Sequence, residues 1–105
     1  MKSLFSIEFD FRQAIKRAEE LEEIAANMRK LANDDLEDSL QNLSTVWKGE
    51  AASAYINKGI SLREKILKSS NDLKKTAGTI RNVARRTYNA EMADYRIAME
   101  RDYKN

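Results

Sequence analysis

Apolar or small residues recur at steps of three and four along two long stretches of the chain. In the first stretch they occupy positions 11, 14, 15, 18, 21, 24, 25, 28, 31, 32, 36, 40 and 43. In the second they occupy positions 52, 55, 56, 59, 60, 62, 66, 67, 73, 77, 80, 83 and 84. Because an α-helix has 3.6 residues per turn, this spacing puts them on one helix face. The pattern predicts an all-α protein with two long helices.

The first helix is predicted over residues 10–44, after an N-terminal arm of residues 1–9. Asp10 is a favourable N-cap, and Gln13 three residues later would complete a capping box. The run Asn33-Asp34-Asp35 favours caps over helix interiors, so a bend can form there. No Gly or Pro lies nearby, and the helix is expected to continue through this run.

Residues 45–49 are predicted to form a turn between the two helices. Ser and Thr side chains compete with helical backbone hydrogen bonds, and Gly49 permits a positive φ angle. The second helix is predicted over residues 50–99, since Glu50 places a favourable negative charge in a first turn. Residues 100–105 are expected to fray.

Positions 52, 59, 66, 73 and 80 keep a seven-residue spacing that suits a seam between packed helices. We expect positions 21, 25 and 28 of the first helix to lie in the same interhelical core. At 1.5 Å per residue, the first helix spans ~51 Å and the second ~58 Å as far as Tyr88. These lengths match as the arms of an antiparallel helix-turn-helix hairpin. Residues after Tyr88 are predicted to overhang it and to find no neighbour within their own hairpin.

Composition limits both the core and the chemistry. Leu, Ile, Val and Phe supply only 22 of 105 residues, close to the level of roughly 20% below which chains tend to disorder. A single hairpin therefore has a thin core, and we expect a second copy or a partner to cover it. The chain has no His and no Cys, which removes the usual general base near neutral pH and the imidazole and thiolate metal ligands. We expect no catalytic activity, no cofactor and no metal site.

Charge is distributed unevenly between the two halves. Residues 1–50 hold 7 Lys or Arg against 11 Asp or Glu, and residues 51–105 hold 12 against 6. An acidic helix lying against a basic one explains this asymmetry. A nucleic-acid or anionic membrane binder is a less favoured alternative, because the basic residues from Lys58 to Arg86 are spread over more than one helix face. Glu8 and Asp10 interrupt the apolar N-terminal run, so no signal peptide is expected.

The tripeptide Trp47-Lys48-Gly49 stands midway along the chain, in the predicted turn, and is followed by Glu50-Ala-Ala-Ser-Ala-Tyr55. Over about residues 8–95 the chain resembles the WXG family, the small helical proteins related to the early secreted antigenic target. Bacteria export those proteins through type VII (ESX) secretion systems. The resemblance implies a hairpin that dimerises into an antiparallel four-helix bundle. It also implies synthesis in the bacterial cytoplasm and secretion without a cleaved signal peptide, with Trp47 and Gly49 as the turn motif.

The second signal of that family, a Tyr followed four positions later by Asp or Glu, is not met. Tyr88 and Tyr95 are followed at that spacing by methionines. The candidate surface for export or partner binding therefore approximates the signal, and it comprises Tyr88, Glu91, Met92, Asp94 and Tyr95.

The resemblance also implies partners. These are a second copy of the chain or a paralogous hairpin, an FtsK-like secretion ATPase and, as a further candidate, a larger toxin. Homotypic and heterotypic dimers both stay open at this point. The alternative function is a non-exported helical adaptor that targets a larger secreted toxin.

Overall fold

The computed structural model describes residues 2–104, and its regular elements are all helical. They are α1 over Leu4–Lys30, a π-helical segment over Leu31–Leu36, α2 over Glu37–Val46 and α3 over Glu50–Lys104. Residues 2–104 contain no strand, so the predicted all-α class is confirmed. Within the same range, no helix has an apolar stretch long enough to cross a membrane.

Helix α1 begins at Leu4, six residues before the predicted start at Asp10. Ser3 provides the cap, because its Oγ accepts from the Ser6 N–H at 3.1 Å and its carbonyl accepts from the Ile7 N–H at 3.0 Å. The earlier start places Ile7 in a buried position. The predicted N-terminal arm over residues 1–9 is therefore wrong for residues 4–9, and Met1 lies outside the described residues.

The other predicted boundaries also move. The π-helical segment contains Asn33, Asp34 and Asp35, the run at which a bend was considered possible and through which the helix was expected to continue. Helix α2 then continues to Val46, two residues past the predicted end. Helix α3 begins at Glu50 as predicted and extends to Lys104, so fraying from residue 100 is wrong for the described part. Asn105 lies outside the described residues.

The chain packs as two units. One unit combines the residues up to Glu20 with those from Thr76 onward, and the other comprises Leu21–Lys75. The buried residues of the first unit are Ile7, Ala18, Ala77 and Ala84. Those of the second are Ala25, Ala32, Leu40, Ala52 and Ser70. Small side chains thus line the helix contacts in both units, and larger apolar side chains stand at the flanks, where many are exposed.

Within each unit, α3 runs antiparallel to the helical segment that it contacts. In the first unit, the contacts join Lys2 to Glu91 and Phe11 to Tyr88. In the second unit, they join Ala25 to Ser70, Asn33 to Arg63 and Leu40 to Gly59. In both units, later positions before the turn pair with earlier positions of α3.

The predicted seam of α3 is one half of its contact face. Position 52 is buried, and positions 59, 66, 73 and 80 are half-buried. A second series at the same spacing, residues 56, 63, 70, 77 and 84, is also buried or half-buried. Positions 56, 77 and 84 were already placed on the apolar face, but the series itself was not predicted, because its other two members, Arg63 and Ser70, are polar.

Candidate functional site

The connection between α2 and α3 consists of Trp47, Lys48 and Gly49. The Trp47 N–H still donates to the Leu43 carbonyl at 2.9 Å, while its φ of −120° and ψ of 123° are extended. The helix therefore ends at the tryptophan. Gly49 has φ of +108°, which L side chains rarely adopt. The two defining residues of the motif thus end one helix and precede the next.

The Trp47 ring is supported on one side and open on another. Its centroid lies 5.7 Å from that of Tyr55, with the rings tilted by 53°, and such aromatic pairs contribute ~0.5–1.5 kcal/mol beyond burial. The Trp47 side chain is nevertheless 40% exposed, and the neighbouring Val46 is 81% exposed. The Lys48 Nζ donates to the Ser44 carbonyl at 2.7 Å, one of the last carbonyls of α2. The turn therefore presents an anchored apolar surface.

An open groove adjoins this turn between α2 and α3. It has a volume of about 510 Å³ and is lined by Leu36, Ser39, Leu40, Leu43, Tyr55, Lys58, Gly59 and Leu62. Most of its lining is aliphatic or aromatic, and both Tyr55 and Leu62 are more than half exposed. A groove of this kind fits the apolar face of another helix.

Arg63 is a functional candidate that the sequence analysis missed. It belongs to the second seven-residue series of α3, and its guanidinium reaches two residues of the facing chain segment. One terminal nitrogen donates to the Asn33 Oδ1 at 3.2 Å, and the Nε lies 3.0 Å from the Glu37 Oε2. The Nε is shielded from solvent and makes no hydrogen bond of good geometry, so its approach to Glu37 is an ion pair with a poorly aligned N–H. The sequence did contain one signal that Arg63 lies on the contact face, namely its seven-residue spacing from the apolar Ile56.

Two residues of the predicted export surface belong to the packing of the first unit. The Tyr88 ring lies 4.8 Å from that of Phe11, centroid to centroid, and is half-buried. The Glu91 Oε2 lies 2.8 Å from the Lys2 Nζ. The prediction that residues after Tyr88 find no neighbour within their own chain is therefore wrong for Glu91. The reason is that the ordered N-terminal segment begins earlier than expected.

The rest of the predicted surface is more open. Asp94 is exposed, whereas Met92 and Tyr95 are half-buried. Beyond them Met99 is 43% exposed and Tyr103 is 92% exposed. Among the tyrosines and methionines from Tyr88 to Tyr103, the exposed ones are Met99 and Tyr103, which lie beyond the predicted surface.

Lys2 ties together the two helices of the first unit. Its Nζ lies 2.8 Å from the Asp10 Oδ2 and 2.8 Å from the Glu91 Oε2. The hydrogen bonds to Asp10 and to Glu91 raise the pKa of the Lys2 ammonium above its ordinary value. Nothing in the sequence pattern pointed to this role, because the lysine fell in the predicted N-terminal arm.

Across residues 2–104, no group of three or more His, Cys, Asp or Glu side chains is placed to hold a metal ion. Trp47 and Gly49 lie in one unit, and the predicted tail residues lie in the other. No protein-family model, curated protein or solved structure matches this chain.

Proposed function

We propose that this protein is a small secretion substrate of the WXG type, exported by a bacterial type VII (ESX) system, and that it acts by binding other proteins without catalysis. The observation that carries the proposal is the geometry of the Trp47–Gly49 turn. The tripeptide forms the whole connection between α2 and α3, its glycine has a positive φ angle, and its tryptophan remains partly exposed. This is the context in which a WXG motif is expected.

The proposed architecture is an antiparallel helical hairpin that dimerises into a four-helix bundle. The antiparallel contacts within each unit support the hairpin. The composition of the buried set supports a partner, because six of its eight apolar members are alanines. Larger side chains such as Leu31, Leu62 and Val83 remain about half exposed, and covering them with a second copy would bury apolar area at ~25 cal/mol per Å².

The proposed export surface lies in the C-terminal part of α3. Because Tyr88 and Glu91 already pack against the N-terminal segment, Asp94 and the open side of Tyr95 are the better placed members of the predicted set. We propose an FtsK-like secretion ATPase as the partner that recognises them. The partly exposed Trp47 ring would provide a second contact.

A secretion assay on single variants tests the proposal. Trp47→Ala should remain in the cells as a folded helical protein, whereas Val46→Ala, which truncates the more exposed neighbour, should be exported normally. Circular dichroism on purified protein establishes that both variants are folded. Export of Trp47→Ala at the level of the unchanged protein would contradict the proposal.

The groove beside the turn also fits a second candidate function. Its apolar lining would accept the helix of a larger chain as well as that of a second copy, so a non-exported adaptor for a secreted toxin is the alternative. Mass measurement by light scattering separates the two proposals. A homodimer has twice the 12.1 kDa mass of the chain, whereas an adaptor co-purifies in a stoichiometric complex with a larger protein.

A further inference from the structure

The second unit carries one extra residue in its helical register. From position 21 to position 32, which already lies in the π-helical segment, the buried and half-buried positions are 21, 22, 25, 28 and 32, and positions 21, 25, 28 and 32 alternate in steps of four and three. Continuing the same alternation of four and three residues would give 35, 39 and 42. The buried and half-buried positions are instead 36, 37, 40, 43 and 44, and the alternation of four and three resumes at 36, 40 and 43. Each comes one residue late, so the chain contains an insertion between positions 32 and 36.

The π-helical segment accommodates this insertion. A π-helix closes its hydrogen bonds from residue i to i+5, so one turn holds one residue more than an α-helical turn. The segment spans Leu31–Leu36, which brackets the register shift. As a result, Leu36, Leu40 and Leu43 still face α3, where Leu40 is buried.

Arg63 contacts this segment at two points. It binds Asn33 within the π turn and Glu37 immediately after it. The remaining polar residues of the turn, Asp34 and Asp35, are exposed. Arg63 therefore contacts both the π turn and the first residue of α2.

We propose that the π turn is a hinge between α1 and α2, and that the contacts of Arg63 with Asn33 and Glu37 are the latch that keeps it closed. The π turn is less stable than the α-helices on either side of it, because its hydrogen-bond pattern is less favourable than that of an α-helix. Opening the latch lets α2 and the Trp47 turn move while α1 keeps its own contacts. This proposal does not depend on export.

Hydrogen exchange on the intact protein tests the latch. The amides of residues 33–38 should exchange about tenfold faster than those of residues 24–30, because the hinge opens locally. Arg63→Met should accelerate residues 33–38 by about a further tenfold and leave residues 24–30 unchanged. Lys65→Met is the matched control, since it removes an exposed cation from α3 two positions away, and it should change neither segment.

Deletion of Asp34 tests the hinge itself. Removing one residue brings positions 36, 40 and 43 into the upstream register, so a continuous α-helix can form. The amides of residues 35–38 should then exchange as slowly as those of residues 24–30. Adding Arg63→Met to the deletion should change their exchange rate less than about twofold. Deletion of Glu64, an exposed residue in the regular part of α3, should abolish cooperative unfolding, because no insertion there compensates for it.

Two results would overturn the proposal. One is exchange at residues 33–38 that is as slow as in α1 and insensitive to Arg63→Met. The other is an equal effect of Arg63→Met with and without Asp34, which would make the arginine a general stabilising contact and not the latch of a hinge. Loss of cooperative folding on deletion of Asp34 would also refute the insertion.

Discussion

The side chain of Leu40 packs directly against the backbone of Gly59. A Cβ added at position 59 would overlap a Leu40 Cδ and lie 3.3 Å from its Cγ. Leu40 is buried but also lines the open groove beside the turn, so its Cδ atoms would have to shift toward that groove to admit a Cβ at position 59. The glycine thus sets the distance between α2 and α3 beside the Trp47 turn.

Gly59→Ala should therefore stabilise the protein less than an unhindered Gly→Ala change, because the shift of Leu40 offsets part or all of the helix-propensity gain of ~1 kcal/mol. Gly78→Ala is the matched control, since a Cβ there meets nothing within 4 Å. It should stabilise the protein by about 0.5–1 kcal/mol. Urea denaturation measures both changes. Equal stability of the two variants would show that Leu40 does not restrict position 59.

The sequence predicted the close approach at Gly59 because an apolar seven-residue spacing passes through it. It also predicted the turn at Gly49, where a positive φ angle favours glycine. It did not predict Arg63 in the contact face, because a charged residue is recognised there only once its partners Asn33 and Glu37 are known. Those partners come from a distant part of the chain, and local pattern carries no information about them.

The start of α1 shows another limit. Ser3 and Asp10 are both good N-caps, and propensity alone does not choose between them. The tertiary contacts of Ile7 and Lys2 favour the earlier cap. The later predicted start at Asp10 left Lys2 in the N-terminal arm. The contact of Lys2 with Glu91 was therefore missed, and the C-terminal part of α3 was predicted to have no neighbour.

A second prediction concerns Ser70, the one buried polar residue among residues 2–103. Its Oγ donates to the Ala25 carbonyl at 2.7 Å, which requires α1 and α3 to lie close together. Ser70→Ala should cost no more than about 1 kcal/mol, because the Ala25 carbonyl can still accept the backbone N–H four residues later in α1. Ser70→Leu should cost about 1–3 kcal/mol by forcing the helices apart. Ser69→Ala, at an exposed neighbour, is the control and should be neutral in chemical denaturation.

A third prediction concerns the pH dependence of the Lys2 ion pairs. Because the pKa of Lys2 is raised, its contribution is fully present below the unfolded pKa and is lost only as pH rises through the folded value. Lys2→Met should therefore lower Tm slightly and by the same amount between about pH 6 and 9. The difference should shrink at ~1 M salt, since the pairs are exposed. Lys16→Met should show no such salt-dependent difference, and a Lys2 effect that disappears by pH 9 would contradict this reading.

The last prediction concerns the C-terminal part of α3, where two truncations should behave differently. Removing residues 90–105 deletes Glu91, which pairs with Lys2, together with the half-buried Met92 and Tyr95. Removing residues 100–105 deletes none of these, and residues 100–103 are exposed.

The shorter truncation, after Met99, should therefore keep the free energy of unfolding of the full chain within the ±0.5 kcal/mol typical of surface changes. The longer truncation, after Asn89, should lower Tm because the first unit loses part of its packing. Under the proposed function both the longer truncation and a full-length Asp94→Asn, Tyr95→Ala double variant should stay in the cells. That double variant is the more informative of the two, because it leaves the Lys2–Glu91 pair in place. If it is exported normally and the longer truncation keeps the Tm of the full chain, the C-terminal part of α3 has neither of the roles assigned to it.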